Sequence, residues 1–356
     1  MTPLDALLRR RIAVGGPITL ADYMAECLLH PEHGYYTGRD PLGAEGDFTT
    51  APEISQMFGE LVGLALGQAW LDQGAPAPVA LAELGPGRGT LMADILRAAR
   101  AVPGLPEAVQ VHLVEASPVL RRRQAAALPD AAPTWHDSAD TLPDLPLLLV
   151  ANEFFDALPI RQFQRSGRGW AERQVTVGEA GLAAGLTPAA PLAALAHRLA
   201  DTADGEVVET RPAAAAIAAG LAGRIAAHGG AALIVDYGDW RSSGDTFQAL
   251  EAHRMVDPFA RPGCADLTAH VDFEALADAA AAQGVAVSPM VPQGVFLERL
   301  GITARATSLA ARMDGAAREA HVAAHRRLTH PGEMGSLFKC MAFTPKAAPP
   351  FPGLTP

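Results

Sequence analysis

Cysteine is scarce, and the three that occur, Cys27, Cys264 and Cys340, form no C-x-x-C pair. That spacing offers neither a disulfide framework nor a zinc-ligand set, and it fits a reducing compartment. Basic residues are outnumbered: 28 Lys and Arg against 39 Asp and Glu leave a net charge of −11. A field of that sign repels phosphates, which argues against general nucleic-acid binding, and it mildly attracts a basic protein partner. Long apolar runs are missing too. The run 145–151 is far short of the ~18 residues a membrane span needs, and the alanine-rich stretch 213–235 is broken by Arg224, His228 and several glycines. The N-terminal residues carry three arginines but no apolar h-region, so they do not read as a secretory signal, and a cytoplasmic location is expected. Two nucleotide signatures are absent as well: there is no G-x-x-x-x-G-K-[ST] phosphate loop and no G-x-G-x-x-G dinucleotide fingerprint. Nor is there a G-x-S-x-G elbow.

What is present is alternation. Apolar runs at 79–84, 109–115, 146–151 and 231–237, with a weaker one at 133–136, are separated by helical patterns at 90–101 and 118–128. Continuous apolar strands alternating with helices predict a mostly parallel α/β sheet covered on both faces. Strand-like runs at 285–291 and 336–343 predict an antiparallel hairpin at its end. The expected organisation is a helical N-terminal region over 1–76 and a first half-domain over 77–160. An insertion over 161–228 follows, made of a hairpin at 161–177 and alanine-rich helices. A second half-domain over 229–344 and a frayed tail over 345–356 complete it. In the N-terminal region, Thr19 with Asp22 and Thr50 with Glu53 read as helix caps, with Ile54, Met57, Phe58, Leu61, Val62, Ala65 and Trp70 as the buried face of a longer helix. Between them runs a loop rich in Gly, Pro and aromatics, of a length that reads as a binding loop or lid, or equally as a surface excursion.

The chemistry concentrates at strand ends. Glu83-Leu84-Gly85-Pro86-Gly87-Arg88-Gly89 closes a strand and opens a helix. Gly85, Gly87 and Gly89 permit a tight turn and close ligand approach, and the following helix N-terminus suits a carboxylate. Glu83 is placed to meet an ammonium group. Glu115, ending the next strand, is placed to accept two ribose hydroxyls, and Asp137 or Ser138, after the third, to meet an adenine amine. The E-x-G-x-G-x-G spacing does without the third close approach that a pyrophosphate requires, so it points to S-adenosylmethionine rather than a dinucleotide. After the fourth strand, Asn152, Glu153 and Asp156 lie among aromatics, a set that suits a guanidinium, which carboxylates bind bidentately. Asp236, after the fifth strand, lines the same cleft or closes an ordinary turn. His30, His33, His321 and His325 lack further ligands and read as loop or surface histidines, so no metal site is expected.

These segments together resemble the family of mitochondrial complex I assembly methyltransferases and their bacterial relatives, the MidA family. The resemblance is carried in order by GPITLADYMAECLLHPEHGYY, GDFTTAPEISQMFGE, LAELGPGRGTLMADILR, HLVEASPVLR, ANEFFDALPIRQF, IVDYGD and GSLFKCMAF, nearly the whole chain. It implies a class I, Rossmann-like methyltransferase fold, S-adenosyl-L-methionine as donor and a protein arginine as acceptor, in mitochondrial members on a peripheral-arm subunit of respiratory complex I. By position it implies Glu83, Gly85, Gly87, Gly89 and Glu115 for the donor. For the acceptor it implies Asn152, Glu153 and Asp156, with Thr49, Thr50 and Glu53 on the N-terminal wall. The absence of a transit peptide points to a bacterial cytoplasmic member. A cofactor-binding assembly chaperone and a nicotinamide oxidoreductase are the competing readings.

Overall fold

A computed structural model describes residues 1–38 and 50–355. Among the described residues, seven strands form the main path of the nine-stranded principal sheet: β1 (Val79–Leu84), β2 (Val109–Val114), β3 (Thr134–His136), β4 (Leu147–Asn152), β5 (Gly230–Asp239), β6 (Val285–Val287) and β7 (Phe338–Pro345). Their spatial order is β3-β2-β1-β4-β5-β7-β6. The first five are mutually parallel, and β7 runs antiparallel to both neighbours. The order reverses between β1 and β4, so the carboxyl ends of these two strands flank the crevice where an open α/β sheet binds ligands.

Alternation along each strand feeds two cores. Val79 and Leu81 face one apolar layer with helices Gln56–Leu71 and Thr90–Ala99, while Ala80, Ala82 and Leu84 face another with helices Pro212–His228 and Phe273–Ala281. The contact between the first two helices is close because Gly63 presents no side chain. A Cβ there would lie 2.9 Å from the backbone of Ile95. A third core joins the N-terminal helices Pro3–Gly15 and Leu20–Leu29 to Ile160, Val175, Leu182 and the small sheet of Gln248–Glu251, Arg254–Val256 and Asp266–Thr268. Thr19 caps its helix as its spacing predicts, accepting from the Asp22 N–H at 3.0 Å.

Three expectations are corrected. The alanine-rich helix Pro212–His228 does not belong with the inserted hairpin: Ala214, Ala218, Leu221, Ala222 and Ile225 pack on the principal sheet. The hairpin Arg161–Ser166 and Gly169–Val177 forms as expected, and it pairs with Val207–Thr210 and with Ile18–Thr19 of the N-terminal region. The run 285–291 is split into β6 and the two-residue strand Val291–Pro292, each pairing with β7. The tail is not frayed, because Phe351 and Leu354 are buried in the first core. Among the described residues no helix is long and apolar enough to cross a membrane.

Candidate functional site

A cavity of about 340 Å³ opens at the carboxyl ends of β1, β2 and β4. Its floor is the turn after β1. Gly85, Gly87 and Gly89 have φ of +62°, +54° and +86°, a left-handed region open to glycine at little cost. Gly85 and Gly87 line the cavity. Gly89 caps helix Thr90–Ala99 and lies against Gln124, its Cβ position 3.4 Å from the Gln124 backbone. That helix has no side-chain cap: the Met92 N–H is taken by Glu83, and the partial positive charge of the helix N-terminus lies beside the turn. At Gly85 a Cβ would also meet Phe154 at 3.0 Å. Gly85→Ala is therefore expected to destabilise the fold by about 1–2 kcal/mol. It should weaken nucleoside binding as well, through displacement of Phe154; paired thermal melts and titration calorimetry check both.

Glu83 lines the same cavity at 3% exposure, and its Oε2 has no hydrogen-bond partner. Burial pushes the carboxyl up to about 8, against the pull of the Met92 N–H. A buried acid left with an orphaned oxygen is costly unless a cation partners it, so this position fits an ammonium group. Glu115 is held in place from both sides: Oε1 accepts from the Ser117 N–H at 2.8 Å and Oε2 from Gln124 Nε2 at 3.1 Å. Burial raises its pKa despite these donors. Asp137 and Ser138 stand on the rim. Asp137 pairs with Arg121, and the Ser138 hydroxyl accepts from the Asp140 N–H, capping a short helical turn. The Ser138 hydroxyl is thus engaged locally.

The opposite wall is the segment after β4. Glu153 holds φ of +53°, rare for a residue with a side chain, and donates its N–H to the Val235 carbonyl. Its Oε1 accepts from the Ala51 N–H at 3.1 Å and from Asn152 Nδ2 at 3.0 Å. Burial pushes the carboxyl up to about 7, aided by the charge of Asp156. Asn152 also lines the cavity, and its Oδ1 is buried without a partner.

Thr50 and Glu53 form the N-terminal wall. The capping pattern read at 50–53 is not made: Thr50 heads only the short helix Ala51–Ile54 without a side-chain bond, and Ser55 caps the longer helix. Glu53 instead accepts from the Thr90 hydroxyl at 2.6 Å, which ties this wall to the helix after the glycine turn. Thr49 lies outside the described residues.

Asp156 and Asp236 are placed differently from expectation. Asp156 is buried just behind the wall and does not line the cavity; its Oδ1 has no partner. Asp236 does not line the cleft. It is fully buried, with Oδ2 accepting from the N–H groups of Phe155 at 2.9 Å and Asp156 at 3.3 Å, and Oδ1 from Tyr237 N–H. Burial raises both carboxyls, with Arg211 opposing. Residues that sequence reasoning missed include Tyr36, which lines the cavity and donates its hydroxyl to Asp266 at 2.7 Å. Thr90 and Arg211 are two others. The aromatic pair in the N-terminal loop was the available signal for Tyr36. Nothing local marks Arg211.

Comparison with known proteins agrees with this geometry. Residues 61–291 match the S-adenosyl-L-methionine-dependent methyltransferase family model. Protein arginine methyltransferase NDUFAF7 of Danio rerio is 38% identical, over 93% of this chain and 84% of the relative. The human counterpart is 36% identical over 97% and 84%. A Burkholderia thailandensis protein crystallised with S-adenosyl-homocysteine superposes with a TM-score of 0.81 at 32% identity, covering 99% of this chain and 92% of the other. With a matching family model, relatives aligned over nearly the whole chain and a ligand-sized crevice at the strand switch, the chain belongs to the S-adenosyl-L-methionine-dependent methyltransferase family.

Proposed function

We propose that this protein methylates an arginine side chain of a protein substrate. The observation that carries the reading is the Glu153 carboxyl, half-buried on the cavity wall with its two donors both on Oε1. Beside it stand the unpartnered Asn152 Oδ1 and the Glu53 carboxyl. An acceptor end rich in anions and spare acceptor oxygens favours a planar cation with several N–H donors, which is a guanidinium. The relatives' designation as protein arginine methyltransferases supports the same acceptor class.

When bound, S-adenosyl-L-methionine supplies an electrophilic methyl group. Glu83 would hold its ammonium group, the glycine turn and helix N-terminus its carboxylate, and Glu115 the ribose hydroxyls. Glu153 Oε2 would orient the guanidinium and take the proton released from the methylated nitrogen, for which a carboxyl near 7 is well matched. Asn152 would accept a second N–H through Oδ1 while fixing Glu153 through Nδ2. The half-buried Phe154 ring on the cavity wall limits water beside the reacting nitrogen.

The test is transfer of radiolabelled methyl to the lysate of a strain lacking the protein, with mass spectrometry of the labelled band. A peripheral-arm subunit of respiratory complex I is the first candidate acceptor, on the strength of the sequence resemblance. Label on arginine is the expected result. Label confined to lysine or to small molecules would overturn the acceptor class and leave cofactor use intact. No transfer at all, with cofactor bound and a partner retained, would favour an assembly chaperone.

A further inference from the structure

The segment that carries the acceptor groups is held by its backbone. On its N–H side, the Asp236 carboxylate takes Phe155 and Asp156. On its carbonyl side stands Arg211, the residue before helix Pro212–His228. Its guanidinium is directed at peptide oxygens. Nε donates to Leu158 O at 3.0 Å, Nη1 to His270 O at 3.2 Å, and Nη2 to Asp156 O at 3.2 Å and Ala269 O at 2.9 Å. The Ala269 N–H closes the arrangement on Asp156 O at 3.1 Å. One side chain therefore joins residues 156–158 to the turn at 269–270, and it faces the Asp156 and Asp236 carboxyls as their counter-charge. Four acceptors in two segments call for a planar fork of fixed geometry; a lysine ammonium has three donors and no such plane.

We infer that Arg211 is a positioning residue for methyl transfer: it fixes the 153–158 segment, and with it Glu153, without touching cofactor or acceptor. This rests on the acceptor site proposed above. Neither Arg211 nor Asp236 lines the cavity, so their effect on catalysis must pass through the backbone they hold. Small displacements of an aligned group lower turnover steeply while leaving ground-state binding almost intact.

The test uses the full chain with Arg211→Lys and Arg211→Met, and with Asp236→Asn as a second probe of the same segment should the methionine variant not fold. Amide hydrogen exchange is followed over 153–158 and over 79–90, alongside S-adenosyl-homocysteine affinity and the kcat and KM for an arginine-bearing acceptor peptide. Exchange over 153–158 is expected to rise on the order of tenfold with 79–90 unchanged. Turnover should fall by roughly 10²-fold with KM and nucleoside affinity nearly constant, and lysine should not rescue it. Unchanged exchange over 153–158, or full activity in Arg211→Lys, would overturn the inference. So would a uniform rise in exchange with parallel loss of nucleoside binding, which is what a purely structural residue would give. If the wild-type protein methylates no arginine peptide, the acceptor reading fails by itself, and the exchange pattern still decides whether Arg211 fixes the segment.

Discussion

Glu153→Gln is expected to lower methyl-transfer turnover by roughly 10²–10⁴-fold, the usual scale for losing a positioned proton acceptor, while S-adenosyl-homocysteine still binds. The substitution keeps the shape and an oxygen for the Ala51 N–H, so the fold and the N-terminal wall survive it. What is lost is the anion that orients a guanidinium and accepts its proton. The pH dependence follows from the same carboxyl. Burial and Asp156 raise it to about 7, and the working form is the ionised one. Activity should therefore fall as pH drops below about 7, and this acid limb should vanish from the residual activity of the variant. For stability the sign is opposite to that of a salt-bridged acid. A carboxyl raised on folding favours the protonated folded state, so its contribution is lost as pH rises through about 7. Thermal melts of the variant should accordingly show a flatter pH profile across that range. Activity profiles measured at saturating acceptor would sink the assignment if the acid limb were identical in both proteins.

How much of this was legible in the sequence depends on what each residue's partner is. Strand β1 was readable to the residue because its five apolar or small positions and Glu83 are bounded by Pro78 and the glycine turn. The sheet order was legible as a class, since alternating buried strands and helices admit few arrangements. Helix Pro212–His228 was misassigned because its buried face is mostly alanine, which marks a close helix–sheet approach no more clearly than a solvated helix. Glu53 was read as a cap because its spacing from Thr50 fits one; its actual partner, Thr90, is 37 residues away, and a capping pattern does not see it. The cleft reading of Asp236 failed for a related reason. An aspartate ending a strand reads alike whether its carboxyl faces the cleft or turns back to hold backbone N–H groups, and only the packing of residues 155–156 over β5 settles which. The left-handed backbone of Glu153 had no sequence signal either, because the conformation is imposed from outside by the Val235 carbonyl and the Ala51 N–H. Groups whose place is set by strand position were thus readable, and groups placed by distant hydrogen bonds were not.

The second large effect belongs to Glu83. Its carboxyl is buried, raised to about 8, and has one oxygen without a partner, so before any cation arrives it is mostly protonated at neutral pH. Placing an ammonium beside it favours the anion, so nucleoside binding at pH 7 should release close to one proton from this group. Calorimetry of S-adenosyl-homocysteine binding in two buffers of different ionisation enthalpy measures that release, and above pH 9 it should disappear because Glu83 is then already ionised. Glu83→Gln should abolish the release and weaken binding by about 2–5 kcal/mol, the cost of leaving a desolvated charge unpaired, or roughly 30-fold to several thousand-fold in Kd. In the ligand-free protein the same variant should be neutral or stabilising near pH 8. The native carboxyl there opposes folding, its contribution having been lost as pH rose from the ordinary carboxylate range through about 8. A variant with weakened ligand binding and an unharmed fold separates a binding carboxylate from a structural one. Were Glu83→Gln to bind the nucleoside as tightly as the wild type, with proton release intact, the ammonium would have to sit elsewhere, and the orphaned oxygen at the end of β1 would be left without a physical reason.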